Sequence, residues 1–136
     1  MEVKTDPLEY NFGDDDLKQY LDPLLKEAKE KLVDLDKVAL KRALKSGTLK
    51  VTGVRCWTAL HSDFWRHRDA AVRAYLEFMR APILEKYVNN ADLFLASIDV
   101  ALEACNDKLL QIYFVGLDIF KLCFEPPICN DNVTQK

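Results

Sequence analysis

The chain has 136 residues with 49% hydrophobic content, enough for one domain with a core. Four Gly and five Pro argue against a turn-dense β chain, and a net charge of -3 excludes a broadly basic nucleic-acid binder. The negative charge gathers at the start, where Glu2, Asp6, Glu9, Asp14, Asp15 and Asp16 face only Lys4, as in a solvated, mobile lead-in.

A first helix is expected from Asp15 to Val33, with Leu17, Tyr20, Leu21, Leu24, Leu25, Ala28 and Leu32 at helical spacing. Its acids come early and Lys26, Lys29 and Lys31 come late, as the helix dipole favours. Pro23 predicts a kink or a second start at Asp22. A short helix from Asp36 to Lys45 should stop at Ser46-Gly47. Thr48 to Val54 is rich in β-branched residues and is ambiguous, with an extended linker as one reading. Val54 to Leu60 reads as a helix in which Trp57 joins Val54, Cys56 and Leu60 in an apolar run.

The segment Ser62-Asp63-Phe64-Trp65-Arg66-His67-Arg68 is the most distinctive in the chain. Ser62 and Asp63 are N-cap candidates, and a helix to Arg80 follows with Ala71, Val72, Tyr75, Leu76, Phe78 and Met79 on its apolar side. Trp65 thus falls at a loop-helix junction beside Arg66 and Arg68. Trp and Arg are enriched at binding hot spots, which suits a partner contact; alternatively Trp65 folds back on its own helix as a staple. Ala81-Pro82 ends this helix, and Ile83 to Val88 has room for one or two turns. Helices from Asp92 to Cys105 and from Asp107 to Cys123 follow, with a minimal turn at Asn106, and Glu125-Pro126-Pro127 closes the last. The domain layout is an acidic lead-in over 1–14, a helical domain over 15–124 and a flexible tail over 125–136.

No hairpin signal is present, and the short connections point to an all-α stack of antiparallel helix pairs. The last helix carries Leu109, Leu110, Ile112, Phe114, Val115, Leu117, Ile119, Phe120 and Leu122 with almost no polar side, so it is expected to be buried on more than one face. A short α-solenoid, in which a further unit covers that face, accounts for this better than a lone bundle.

Chemistry-bearing clusters are not evident. Cys56, Cys105, Cys123 and Cys129 match no zinc or redox spacing and read as reduced, as expected where no signal peptide opens the chain. His61 and His67 are six apart, off the spacing of a helical metal pair, and are expected to be solvated or capping. Asp14-Asp15-Asp16 lacks the Gly and Glu of an EF-hand loop. No nucleophile elbow, phosphate-binding loop or carboxylate pair stands out, so no enzyme, metal or cofactor is expected. Leu109 to Phe124 is interrupted by Gln111, Asp118 and Lys121 and is too short to span a bilayer, so a soluble chain is expected. Asn132-Val133-Thr134 fits a glycosylation sequon only by coincidence in that setting.

Two segments share a plan: Asp63-x-Trp65-x-x-Arg68-x-x-Ala71 and Asn106-Asp107-Lys108-x-x-x-Ile112 each set a polar turn before a helix, about one HEAT repeat apart. Over 54–124 the chain resembles the TOG domain, a HEAT-repeat array whose intra-repeat turns line one edge and bind tubulin. Its first turn typically carries a Trp, then a basic residue and an Arg, as Trp65, Arg66 and Arg68 do; its second typically has Asp or Asn, like Asn106 and Asp107. The resemblance implies a HEAT-repeat (TOG-like) α-solenoid that binds αβ-tubulin or microtubules, and other ciliary or centrosomal proteins in the cytoplasm, with no nucleic acid or membrane partner. Trp65, Arg66, Arg68 and Lys108 are the implied tubulin contacts. Arg68 has a competing role as an internal brace against Asp63 or Asp69, and Asn106 and Asp107 also suit helix capping. TOG domains usually hold six repeats, whereas this chain has room for two clear ones plus the N-terminal helices, as in a fragment or a short relative. The alternative function is a helical-repeat scaffold that binds another protein through its terminal helix, residues 109–123.

Overall fold

The computed structural model describes residues 12–29, 31–32, 38, 41, 47–82, 84, 91–125 and 128. These form helices α1 (Phe12–Ala28), α2 (Gly47–Thr52), α3 (Val54–Leu60), α4 (Trp65–Arg80), α5 (Ala91–Cys105) and α6 (Leu110–Cys123), with no strand among the described residues. The architecture is all-α. Consecutive helices α3 and α4 pack as one hairpin and α5 and α6 as another; α4 lies against α6, α1 against α4, and α2 against α5.

Leu17, Leu21, Leu25 and Ala28 give α1 a buried stripe at helical spacing. The helix starts at Phe12, inside the expected acidic lead-in, and ends at Ala28 where Lys29 takes a left-handed φ of 63°. It runs through Pro23 without a second start, and Asp22 pairs instead with the Arg55 Nε at 2.9 Å. The expected helix from Asp36 to Lys45 lies almost wholly outside the described residues, as does most of Ile83 to Val88. Thr48 to Val54 is not an extended linker. It forms α2 from Gly47 onward, with Leu49, Val51 and Thr52 fully buried, so burial overrides the β-branched composition. Gly47 therefore opens a helix where the sequence suggested a stop. Gly53 then turns the chain into α3 at φ 87°, a conformation natural to glycine.

The core centres on α4, where Tyr75, Phe78, Val72 and Ala71 are fully buried. The Tyr75 hydroxyl meets Ser97 Oγ at 2.7 Å, and Ser97 donates to the Leu93 carbonyl at 2.7 Å. With the Ser97 proton engaged, the phenol is the donor, and burial holds its pKa far above the ordinary value. Tyr75→Phe removes that donor while leaving the Ser97 bond, so a loss of about 1 kcal/mol is expected in urea unfolding. A loss several-fold larger would mean that Ser97 depends on the phenol for its position. Ile128 is also buried, which carries the packed region into the expected tail.

The last helix differs from expectation. Only Ile112, Gly116, Ile119 and Cys123 of α6 are buried, and Leu110, Phe114, Leu117 and Phe120 are exposed. One side of α6 is packed. None of the described helices is long and apolar enough to cross a membrane.

Candidate protein-binding edge

The turns joining α3 to α4 and α5 to α6 stand side by side, and Arg68 ties them together. Its Nε donates to Asp107 Oδ2 at 2.7 Å and its Nη2 to Asp107 Oδ1 at 3.4 Å. Its Nη1 donates to the carbonyls of Ser62 and Asp63 at 3.0 and 3.1 Å. The planar fork thus spans both turns, a geometry that lysine does not supply. Arg68 is an internal brace, but its partner is neither the Asp63 nor the Asp69 carboxylate. Asp69 takes Arg73 one helical turn on, at 2.8 Å.

Asp107 serves two ends of the same device. Its Oδ1 accepts the Leu109 amide at 3.0 Å, ordering the entry to α6, while the fork of Arg68 holds it from the other turn. Its side chain is 7% exposed, so its partners matter more than for a solvated ion pair. Burial raises its pKa, but the Arg68 hydrogen bond, the Leu109 amide, the Arg68 charge and the Lys108 amide together outweigh burial. The carboxyl therefore lies below the ordinary value.

The first turn is built differently from the expected cap. Phe64 is the N-cap, with no side-chain cap bond. Ser62 Oγ accepts the Phe64 amide at 3.1 Å and meets His67 Nδ1 at 2.8 Å. His67, expected to be solvated or capping, is 2% exposed and packs edge-on to Phe64. His61 does lie exposed; it stacks on Trp57 at 3.8 Å and reaches Glu103 at 3.5 Å. Trp57 is half-buried and borders a hollow of about 330 Å³ between α3 and α5 with Asp99, Leu102 and Glu103.

Trp65 is the first residue of α4 and is half-buried. The Arg66 guanidinium lies 5.0 Å from its ring, within cation–π range. Together they border a small hollow of about 140 Å³ with Leu24 and Glu27 of α1 and Gln111 of α6. Arg68 and the exposed Lys108 instead line a hollow of about 500 Å³ over the two turns, with Asp63, Asn106 and Asp107. The four expected contact residues thus fall into two pairs that line different hollows, Trp65 with Arg66 and Arg68 with Lys108.

Sequence reasoning missed the pairing of Arg68 with Asp107, 39 residues apart. Among the described residues no group of His, Cys, Asp and Glu is arranged to hold a metal ion. Cys56, Cys105 and Cys123 stand outside any disulfide, and burial pushes Cys123 up to about 12, away from thiolate chemistry. No protein-family model, curated protein or solved structure matches the chain.

Proposed function

We propose that this chain is a TOG-like HEAT-repeat module that binds αβ-tubulin through the edge built from its two turns. The observation that carries the reading is the Arg68–Asp107 clamp, which sets turns 61–64 and 106–109 beside each other. Lys108 is exposed on that edge, and Arg66, exposed, and Trp65, half-exposed, follow turn 61–64 at the start of α4, a set suited to an acidic protein surface with an apolar anchor point. Arg68 acts as a positioning residue, since its donors are spent inside the edge. The pattern Ser62-x-x-Trp65-x-x-Arg68-x-x-Ala71, with helical segments before it, looks most like the TOG domain of the 104-kilodalton centrosomal protein of ciliary tips. A cytoplasmic site at the cilium or centrosome goes with that reading.

Size-exclusion chromatography with free αβ-tubulin, at low and moderate salt, tests it. A complex is expected that weakens as salt rises. Trp65→Ala should weaken it by at least about tenfold, and Lys108→Glu should mainly slow association and reduce the salt dependence. A folded chain that leaves tubulin unbound under both conditions overturns the reading. A second reading, a scaffold that docks through its terminal helix, is favoured by one observation: Leu110, Phe114, Leu117 and Phe124 of that helix and its end are exposed together.

A further inference from the structure

The exposed side of α5 joins acids to apolar residues. Leu93, Ala96, Val100, Ala101 and Ala104 are buried, whereas Asp92, Leu95, Asp99, Leu102 and Glu103 are exposed. Asp92 suits the start of a helix, but Glu103 stands in the last turn, where the dipole disfavours an acid. Asp99 lies four residues before it, a spacing at which like charges repel. α5 holds no Lys or Arg to offset them. An acid set against two local preferences is the kind of conflict that functional sites retain.

Asp99 and Glu103 border the hollow of about 330 Å³ between α3 and α5, together with Trp57, Leu60, His61 and Leu102. That volume lies at the small end of ligand pockets and suits one long side chain. Trp57 is half-buried and stacks on His61, whose Nε2 reaches Glu103 at 3.5 Å. The Glu103 side chain is still 52% exposed. Among the described residues no Lys or Arg lines the hollow, and Arg55 of α3 pairs elsewhere, with Asp22 of α1. Two carboxylates therefore share this hollow with one imidazole and one indole.

That combination favours a cation with a flat face and an apolar stem. A guanidinium meets carboxylates in two-point geometry and stacks on aromatic rings, while its methylenes cover an apolar neighbour such as Leu102. Leu95 and Leu102, 60 and 50% exposed, offer apolar contact to the residues beside it. We propose that the groove between α3 and α5 docks an arginine-bearing segment of a partner protein, with one arginine entering beside Trp57. This goes beyond the turn-edge reading, in which the exposed Arg66 and Lys108 suit an acidic partner.

Trp65→Phe leaves Trp57 as the sole tryptophan, so fluorescence then reports on this hollow. A peptide of about twelve residues, with arginines and leucines at helical spacing, is expected to shift that emission saturably. The same peptide with glutamates in place of the arginines should not bind. Glu103→Lys is expected to weaken binding by at least about tenfold. It should unfold no more readily than the parent, because lysine suits the end of α5. Glu77→Lys, exposed on α4 and equal in charge change, should alter binding by less than about twofold. No shift with the arginine peptide, equal binding of both peptides, or equal loss in the two variants overturns the proposal. The peptide titration involves no tubulin, so its failure leaves the turn-edge reading standing.

Discussion

Arg68→Ala is expected to be among the most damaging single changes on the surface of this protein, lowering unfolding stability by about 3 kcal/mol. The change leaves the largely buried Asp107 carboxylate without its fork and frees the Ser62 and Asp63 carbonyls that Arg68 now joins to it. Arg68→Lys should recover only part of the loss, because one ammonium does not span both turns in the same geometry. A double-mutant cycle with Asp107→Ala should give a coupling of about 1–3 kcal/mol. Coupling near zero would mean that the two turns are held by the surrounding helices alone. Tubulin binding should fall in both single variants with Trp65 intact, because Arg68 and Asp107 hold the two turns together.

The same pair sets an acid limit. Asp107 has a depressed pKa, so its contribution is complete above the ordinary carboxylate value of 3.8 and is lost as pH falls through the lower folded value. The stability gap between the parent and Asp107→Asn should therefore hold steady from neutral pH down to the low end of the carboxylate range, then close. A gap that closes above pH 5 would point to another group.

Gly116→Val should be comparably costly, at about 3 kcal/mol, and for a packing reason. A Cβ at Gly116 would stand 2.7 Å from Ala104 Cβ, 3.0 Å from the Cys105 nitrogen and 3.1 Å from the Ala101 carbonyl oxygen. Two of those three atoms are backbone, so a rotamer change gives no relief and α5 and α6 must separate. Glycine is otherwise a poor choice inside a helix, by about 1 kcal/mol relative to alanine, and close helix approach is the compensation. Gly116→Ala with Ala104→Gly should recover part of the stability, since only the side-chain clash is removed. Thermal unfolding checks both variants, with the Val variant expected to melt about 10 °C below the parent. An unchanged melting temperature would mean the two helices are not closely apposed.

Local pattern was sufficient for most helices. The apolar spacing of 71 to 79 placed α4, and the turn at Asn106 helped place α5, each within a residue or two, and each helix buries one continuous stripe. Where the pattern was short, the environment prevailed. Thr48 to Val54 carries strand-like residues yet forms α2, since Leu49, Val51 and Thr52 fill a site against α1 and α5. The expectation for α6 failed for the opposite reason. An apolar helix reads the same whether its second face is covered by the chain or left on the surface.

The candidate edge divides along the same line. Trp65, Arg66 and Lys108 stand out by residue type beside the polar turns, and the structure leaves them wholly or partly exposed. Arg68 was legible as a brace, but its partner was not, because a carboxylate 39 residues away has no local signature. The sequence by itself determined the all-α class, the bounds of the helices with one continuous apolar stripe, and the residue types at the two turns, all of which follow from near-neighbour chemistry. Only the tertiary structure decided that the turns meet through Arg68 and Asp107, that His67 is buried, and that α6 shows its aromatic side to solvent. Those depend on which helices pack together, a property of long-range contacts that spacing along one chain does not encode.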